Sequence, residues 1–149
     1  MNTAIADQET RRMAGDPYLA LPLDGIRLIE ASAGTGKTFT LATLFTRLVV
    51  EQGLRIGQIL AVTFTDAATQ ELRKRIRERL ALAARLVDLE PAEGEAPDLR
   101  LTREVLQRHL QGGTESAVAL KRRLQVAADE IDLASIFTIH GFCTCLLYT

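Results

Sequence analysis

Glu30-Ala31-Ser32-Ala33-Gly34-Thr35-Gly36-Lys37-Thr38-Phe39-Thr40 is the stretch on which the fold turns. Ile26-Arg27-Leu28-Ile29 runs into it and predicts a strand. Phe39 to Val50 runs out of it and predicts a helix. A loop between a strand and a helix N-terminus is the setting of a phosphate-cradling P-loop. Gly34 and Gly36 allow the tight turn and the close approach of backbone N–H groups to an anion. The N-terminus of the next helix adds partial positive charge. In this arrangement Lys37 reaches the terminal phosphates of a nucleotide, and the Thr38 hydroxyl serves Mg²⁺. Ala31, Ser32, Ala33, Thr35 and Phe39 complete the nucleotide-binding run, with Ala33 and Thr35 supplying further N–H groups. The generic motif has glycine where Ala31 stands.

Working outward, Gln58 to Phe64 holds the continuous apolar run Ile59-Leu60-Ala61-Val62 and predicts a buried parallel strand. Leu41, Leu44, Phe45, Leu48 and Val49 form one face of the preceding helix, and Gly53 ends it. A long helix is predicted from Ala67 to Leu89, N-capped by Asp66, with Ala68, Leu72, Ile76 and Leu80 on its inner face. Arg73, Lys74, Arg75, Arg77 and Arg79 read as its solvated face, and Lys121-Arg122-Arg123 has the same character. Glu90 to Asp98 is an acidic, Pro/Gly-bearing loop. Helices follow at Thr102–Gln111 and Glu115–Ala128, and a last strand, Ser135 to Ile139, leads into His140-Gly141-Phe142-Cys143. Alternating strands and helices give an α/β class with a parallel sheet and right-handed crossovers. Met1 to Asp16 reads as a mobile arm, and the helical stretch of about 91–131 as an insertion between core strands.

Composition narrows the classes. A 149-residue chain, 47% hydrophobic and 25% charged, is one domain or a piece of one. The net charge of −1 excludes a global basic field, so any nucleic-acid site is local. No apolar run is long enough to span a bilayer and Met1 to Pro17 lacks a signal-peptide core, so a cytoplasmic protein is expected. Cys143 and Cys145 lack partners at zinc spacing and read as free thiols.

Three blocks carry a resemblance: Leu28 to Thr38, Ile59 to Arg73 (with Thr63-Phe64-Thr65-Asp66-Ala67-Ala68 at its centre), and Phe137-Thr138-Ile139-His140-Gly141-Phe142-Cys143. In order and wording they resemble the UvrD/Rep-like superfamily 1 DNA helicases. Among these they look most like RecB-type chains, the beta subunit of exodeoxyribonuclease V. Pro22-Leu23 and Gly25 fit that type too, and the resemblance covers Asp16 to Cys143. It implies a P-loop NTPase fold, a RecA-like parallel sheet flanked by helices, with 17–149 forming an incomplete N-terminal part of a helicase motor domain. It also implies ATP and Mg²⁺ as cofactors, single- and double-stranded DNA as substrate, RecC- and RecD-like subunits as partners, 3′-to-5′ polarity and a place in double-strand break repair.

By the same resemblance, Lys37 and Thr38 are the catalytic pair and Thr63, Phe64, Thr65, Thr138 and His140 touch DNA. Threonine hydroxyls suit phosphate oxygens, and an exposed Phe64 suits sequence-independent stacking on a base. Taken alone, His140 reads as a structural histidine; beside Thr138 and Phe142 it reads as part of a DNA-contacting loop.

The family's next motif, an Asp-Glu pair ending a buried strand, does not appear. Asp129-Glu130 ends a helix and precedes the third block. The arginines that stabilise phosphoryl transfer, the second motor domain and the RecB-type nuclease lie downstream in the family, so efficient hydrolysis is not expected of these residues alone. No glutamine stands in an adenine-reading motif; Gln8 lies in the polar arm. Cys145 to Thr149 departs from the polar continuation of the family and reads like a translated sequencing adaptor. Other classes stay open: an AddA- or UvrD-type helicase, a small nucleotide kinase (against which Thr63-Phe64-Thr65 argues), and a non-catalytic nucleotide- or DNA-binding fragment.

Overall fold

A computed structural model describes residues 17–30 and 36–148. The expected arm, 1–16, and the loop residues Ala31 to Thr35 lie outside the described residues. In chain order the elements are α1 (Pro17–Ala20), α2 (Lys37–Glu51), a 3₁₀ turn (Ile56–Gln58), β1 (Leu60–Thr63), α3 (Asp66–Leu86), α4 (Pro97–Gln111), α5 (Ala117–Asp129), a second 3₁₀ turn (Ile131–Leu133), β2 (Ser135–Thr138) and α6 (Ile139–Leu147).

The class is α/β. β1 and β2 pair in parallel, Leu60 with Ser135 through Thr63 with Thr138, and α3 and the helices after it make the crossover between them. Pairing in this register puts Ala61, Thr63, Ile136 and Thr138 on one face of the sheet. Helix α3 packs against both strands, against α2 and, most extensively, against α5. Ile76, Leu80, Leu120, Leu124 and Ile131 are fully buried at the centre. Each buried aliphatic side chain there contributes about 1.5–3 kcal/mol of transfer free energy.

The expectations hold for type and order of elements and fail in particular places. Ile26–Ile29 is not a strand among the described residues. Leu28 is 86% exposed, and the only described sheet is the β1–β2 pair. A strand exists by its ladder hydrogen bonds, and among the described residues no strand lies beside this segment. β1 is parallel but not buried: Ala61 and Thr63 are half-buried on one face, while Leu60 and Val62 on the other are 49% and 41% exposed. Its apolar run matches a strand covered on both faces, and among the described residues one face lacks that cover.

The N-cap of α3 is Thr65, whose Oγ1 accepts the Ala68 N–H at 3.0 Å, and not Asp66, which lies in the first turn. Ala68 is exposed, and Thr69 takes the inward position with Leu72, Ile76 and Leu80. On α2, Phe45 and Val49 are buried as expected, whereas Leu41 faces solvent and Thr43 and Thr46 go inside. Their hydroxyls donate to the carbonyls of Phe39 and Ala42, both at 2.9 Å, so burial leaves no polar atom unpaired. Gly53 has φ 65° just past α2, the left-handed conformation that ends a helix.

Helix α4 begins at Pro97, five residues before the expected start, because proline at the first position and Asp98 in the first turn favour initiation. The residues around His140 form the first turn of α6 rather than a loop. The Thr138 hydroxyl caps that turn, accepting the Gly141 N–H at 3.0 Å.

Arginines tie the helices to the connecting segments. Arg103 donates to the carbonyls of Leu86, Leu89 and Glu90 and to both carboxylate oxygens of Glu95, the latter at 3.2 and 2.6 Å, which fixes the acidic loop. Arg123 donates to the carbonyls of Val49 and Val50 and grips Glu115 at 3.0 and 2.7 Å. His109 meets the same carboxylate at 2.8 Å. Arg73 reaches the carbonyls of Ile131, Asp132 and Ile136. The expected solvated face of α3 is therefore only partly solvated, and Arg123 is a structural tie.

Candidate nucleotide and nucleic-acid sites

Gly36 precedes α2 with φ 78°, a conformation open to glycine and strained for other residues. Among the described residues no side chain caps this helix and its first turn holds no acidic residue, so its leading N–H groups suit an external anion. By contrast, α3, α5 and α6 are capped by the hydroxyls of Thr65, Ser116 and Thr138.

Beside Gly36 lies a cavity of about 640 Å³, lined by Lys37, Thr38 and Phe39 from α2, by Glu71, Arg75 and Arg79 from α3, and by Asp98 from α4. Its size is that of a ligand pocket. Lys37 is exposed and Thr38 half-buried. Among the described residues no cluster of His, Cys, Asp or Glu is arranged to hold a metal. An Mg²⁺ ion here would be shared by the Thr38 hydroxyl and the phosphates of a nucleotide, which fits the reluctance of that ion to enter all-protein cages.

The far wall of the cavity had no clear signal in the sequence. Arg79 stacks over the Phe39 ring at 4.5 Å from its centroid and donates to the Thr102 hydroxyl at 3.2 Å. Burial pushes its pKa below the usual arginine value, and the charge of Asp98 pulls it back up. Among the described residues no carboxylate comes within ion-pair distance of Arg79, while Arg75 is bound by Glu71 at 2.7 Å and its pKa rises for that reason. The only sequence signal for Arg79 was its place in a basic run, four residues beyond the paired Arg75.

The residues expected to touch DNA gather at the C-terminal ends of the strands, where open α/β sheets carry their ligands. Thr63 and Thr138 are paired in register. Thr63 Oγ1 lies 2.5 Å from Thr69 Oγ1, while Thr65 and Thr138 use their hydroxyl oxygens as caps. A capping hydroxyl accepts with oxygen and keeps its own proton to donate. Phe64 is 87% exposed, and His140 is exposed in the first turn of α6. None of these five residues lines the cavity at Lys37, so the candidate residues fall into two separate groups. Ala31 to Thr35 lie outside the described residues.

Among the described residues no helix is long and apolar enough to cross a membrane. Residues 18–149 match the UvrD/REP helicase N-terminal domain. The chain is 41% identical over 140 residues to RecBCD enzyme subunit RecB of Escherichia coli (strain K12), a span that covers 89% of this chain and 11% of that protein. It is 39% identical over 136 residues to the RecB subunit of Haemophilus influenzae, covering 87% and 11%. Against that of Mycobacterium tuberculosis (strain H37Rv) it is 40% identical over 129 residues, covering 85% and 11%. The chain thus spans 11% of the length of these curated relatives. With nearly all of its residues matched to that domain, the chain belongs to the UvrD/REP helicase family.

Proposed function

We propose that the chain is the nucleotide-binding part of an ATP-dependent 3′-to-5′ DNA helicase of the RecB type, built on a P-loop NTPase fold with a RecA-like sheet. Residues 17–149 are its partial motor domain, and about 91–131 is a helical insertion. The observation that carries this reading is the cavity at the start of α2, with left-handed Gly36 beside Lys37 and Thr38.

In this reading the N–H groups of the P-loop and of the first turn of α2 hold phosphate oxygens, and Lys37 neutralises the terminal phosphates. The Thr38 hydroxyl serves Mg²⁺, which when bound offsets charge on the transferring phosphoryl group. Phosphoryl transfer depends on positioning and charge stabilisation, so groups outside this chain complete the reaction. Phe64 stacks on a base, and Thr63, Thr65, Thr138 and His140 offer hydrogen bonds to the backbone of single-stranded DNA without reading sequence. The relatives' name, RecBCD enzyme subunit RecB, supports RecC- and RecD-like subunits as partners; work on double-strand breaks and a cytoplasmic setting are part of the proposal.

The test is binding of a fluorescent ATP analogue to the chain, with and without Lys37→Ala, followed by DNA-stimulated turnover in a chain of the relatives' full length. The lysine variant is expected to lose binding of the analogue and all turnover while retaining DNA affinity. Unchanged turnover in Lys37→Ala sinks the assignment.

A further inference from the structure

The segment that leads into the P-loop is held by charge. Within α1 only Leu19 is buried. Arg47 of α2 is itself 4% exposed, yet its Nη1 donates to the carbonyls of Tyr18 at 2.8 Å and Leu21 at 2.7 Å. Its Nε donates to Glu51 at 2.6 Å. From α4, Arg108 donates through Nη2 to the Leu19 carbonyl at 3.0 Å and to the other oxygen of Glu51 at 2.6 Å. One carboxylate thus joins two guanidinium groups from different helices, and together they grip the carbonyls of Tyr18, Leu19 and Leu21.

Burying an arginine is unfavourable unless every donor is met, and an apolar contact would hold two helices at least as well. What the charged arrangement adds is direction, because each N–H fixes one carbonyl. The segment so fixed carries the Tyr18 ring, which meets Phe39 edge-on with centroids 5.4 Å apart. Phe39 in turn lines the cavity, with the Arg79 guanidinium over its face. A flat wall of aromatic ring and guanidinium suits a planar ring system, whereas phosphates suit the N–H groups at the helix start.

We propose that Arg47, Glu51 and Arg108 are positioning residues that hold Tyr18 against Phe39, and that the wall formed by Phe39 and Arg79 takes the base of a nucleotide whose phosphates lie at Lys37 and Thr38. The proposal rests on the nucleotide reading of the cavity. It also makes α4, within the helical insertion, part of the support of the nucleotide site.

Dissociation constants for a fluorescent ATP analogue and for inorganic tripolyphosphate test it. They are measured on the chain as wild type and as Arg108→Met, Arg108→Lys, Glu51→Gln and Lys37→Ala. Arg108 is 45% exposed, so its replacement disturbs little packing. Arg108→Met and Glu51→Gln are expected to weaken the ATP analogue about tenfold, the net effect of roughly one lost hydrogen bond. Tripolyphosphate, which has no base, stays within about twofold, the range of a neutral surface change. Arg108→Lys recovers most of the loss. Equal weakening of both ligands, or no weakening of the analogue, overturns the clamp. Lys37→Ala is expected to weaken both ligands; if it weakens neither, the phosphate assignment fails separately from the clamp.

Discussion

The helical body and the strand ends differ in what they leave exposed. In the body, carbonyls at helix ends and loops are sought out by arginines: Arg47 and Arg108 at 18–21, Arg103 at 86–90, Arg123 at 49–50, Arg73 at 131–136. Among the described residues no buried side-chain polar atom is left without a partner. At the ends of β1 and β2, large side chains are instead held away from any core, Phe64 most of all. Phe64, 87% exposed just before the N-terminus of α3, adds little to the core, and its ring is open to solvent. The body is closed around its core, and the strand ends leave their side chains at the surface, as the proposed contact with DNA needs.

The largest effect that bears on this contrast is in the body. Leu80 is fully buried in the middle of α3. Leu80→Ala is expected to destabilise the chain by about 2–5 kcal/mol in denaturant unfolding, the transfer loss plus the cavity left behind. A cost below about 1 kcal/mol would mean that the helices repack freely and that the body is not the closed unit described.

Phe64→Ala probes the other side. Exposed as it is, its removal should leave unfolding free energy within about 0.5 kcal/mol of wild type. Affinity for single-stranded DNA should fall by about 1–3 kcal/mol, the measured range for one base–aromatic stack. Titration of a labelled oligonucleotide with both proteins decides it. Loss of stability with unchanged DNA affinity would invert the contrast and make Phe64 a structural residue.

How much of this was legible in the sequence follows from the range of the interactions. Gly36, Lys37 and Thr38 act within one turn, so their spacing alone placed them at a helix start. Leu72, Ile76 and Leu80 repeat at the helical period and needed no partner to be recognised. The parallel pairing of β1 with β2 was legible from the helices between them.

What depends on distant partners was not legible. Arg79 belongs to a cavity wall because Phe39 lies across from it, forty residues away in the chain, and nothing in its own neighbourhood separates it from Arg75. Ile26–Ile29 has strand composition, but strandedness is conferred by a neighbour and no described strand lies alongside. The same locality explains the shift from Asp66 to Thr65. Both are good caps by type, and only the backbone geometry at Thr65, extended at φ −128° and ψ 155°, selects between them.

The smallest expected effect concerns the tie between the α4–α5 turn and the end of α2. The Glu115 carboxyl is held at a pKa of about 2, against an ordinary 4.5, chiefly by its hydrogen bonds from Arg123 and next by that from His109. A carboxyl whose folded pKa is depressed contributes stability that is fully present above its unfolded value and is lost as pH falls toward the folded one. The window for Glu115 therefore runs from about 4.5 down to about 2. Its side chain is partly solvated, so screening reduces the contribution to about 1 kcal/mol. Glu115→Gln should remove this dependence. Unfolding free energies of wild type and variant should differ above pH 5 and converge as pH falls through the window. Parallel curves across the whole range would show that Arg123 is held by the carbonyls of Val49 and Val50 alone.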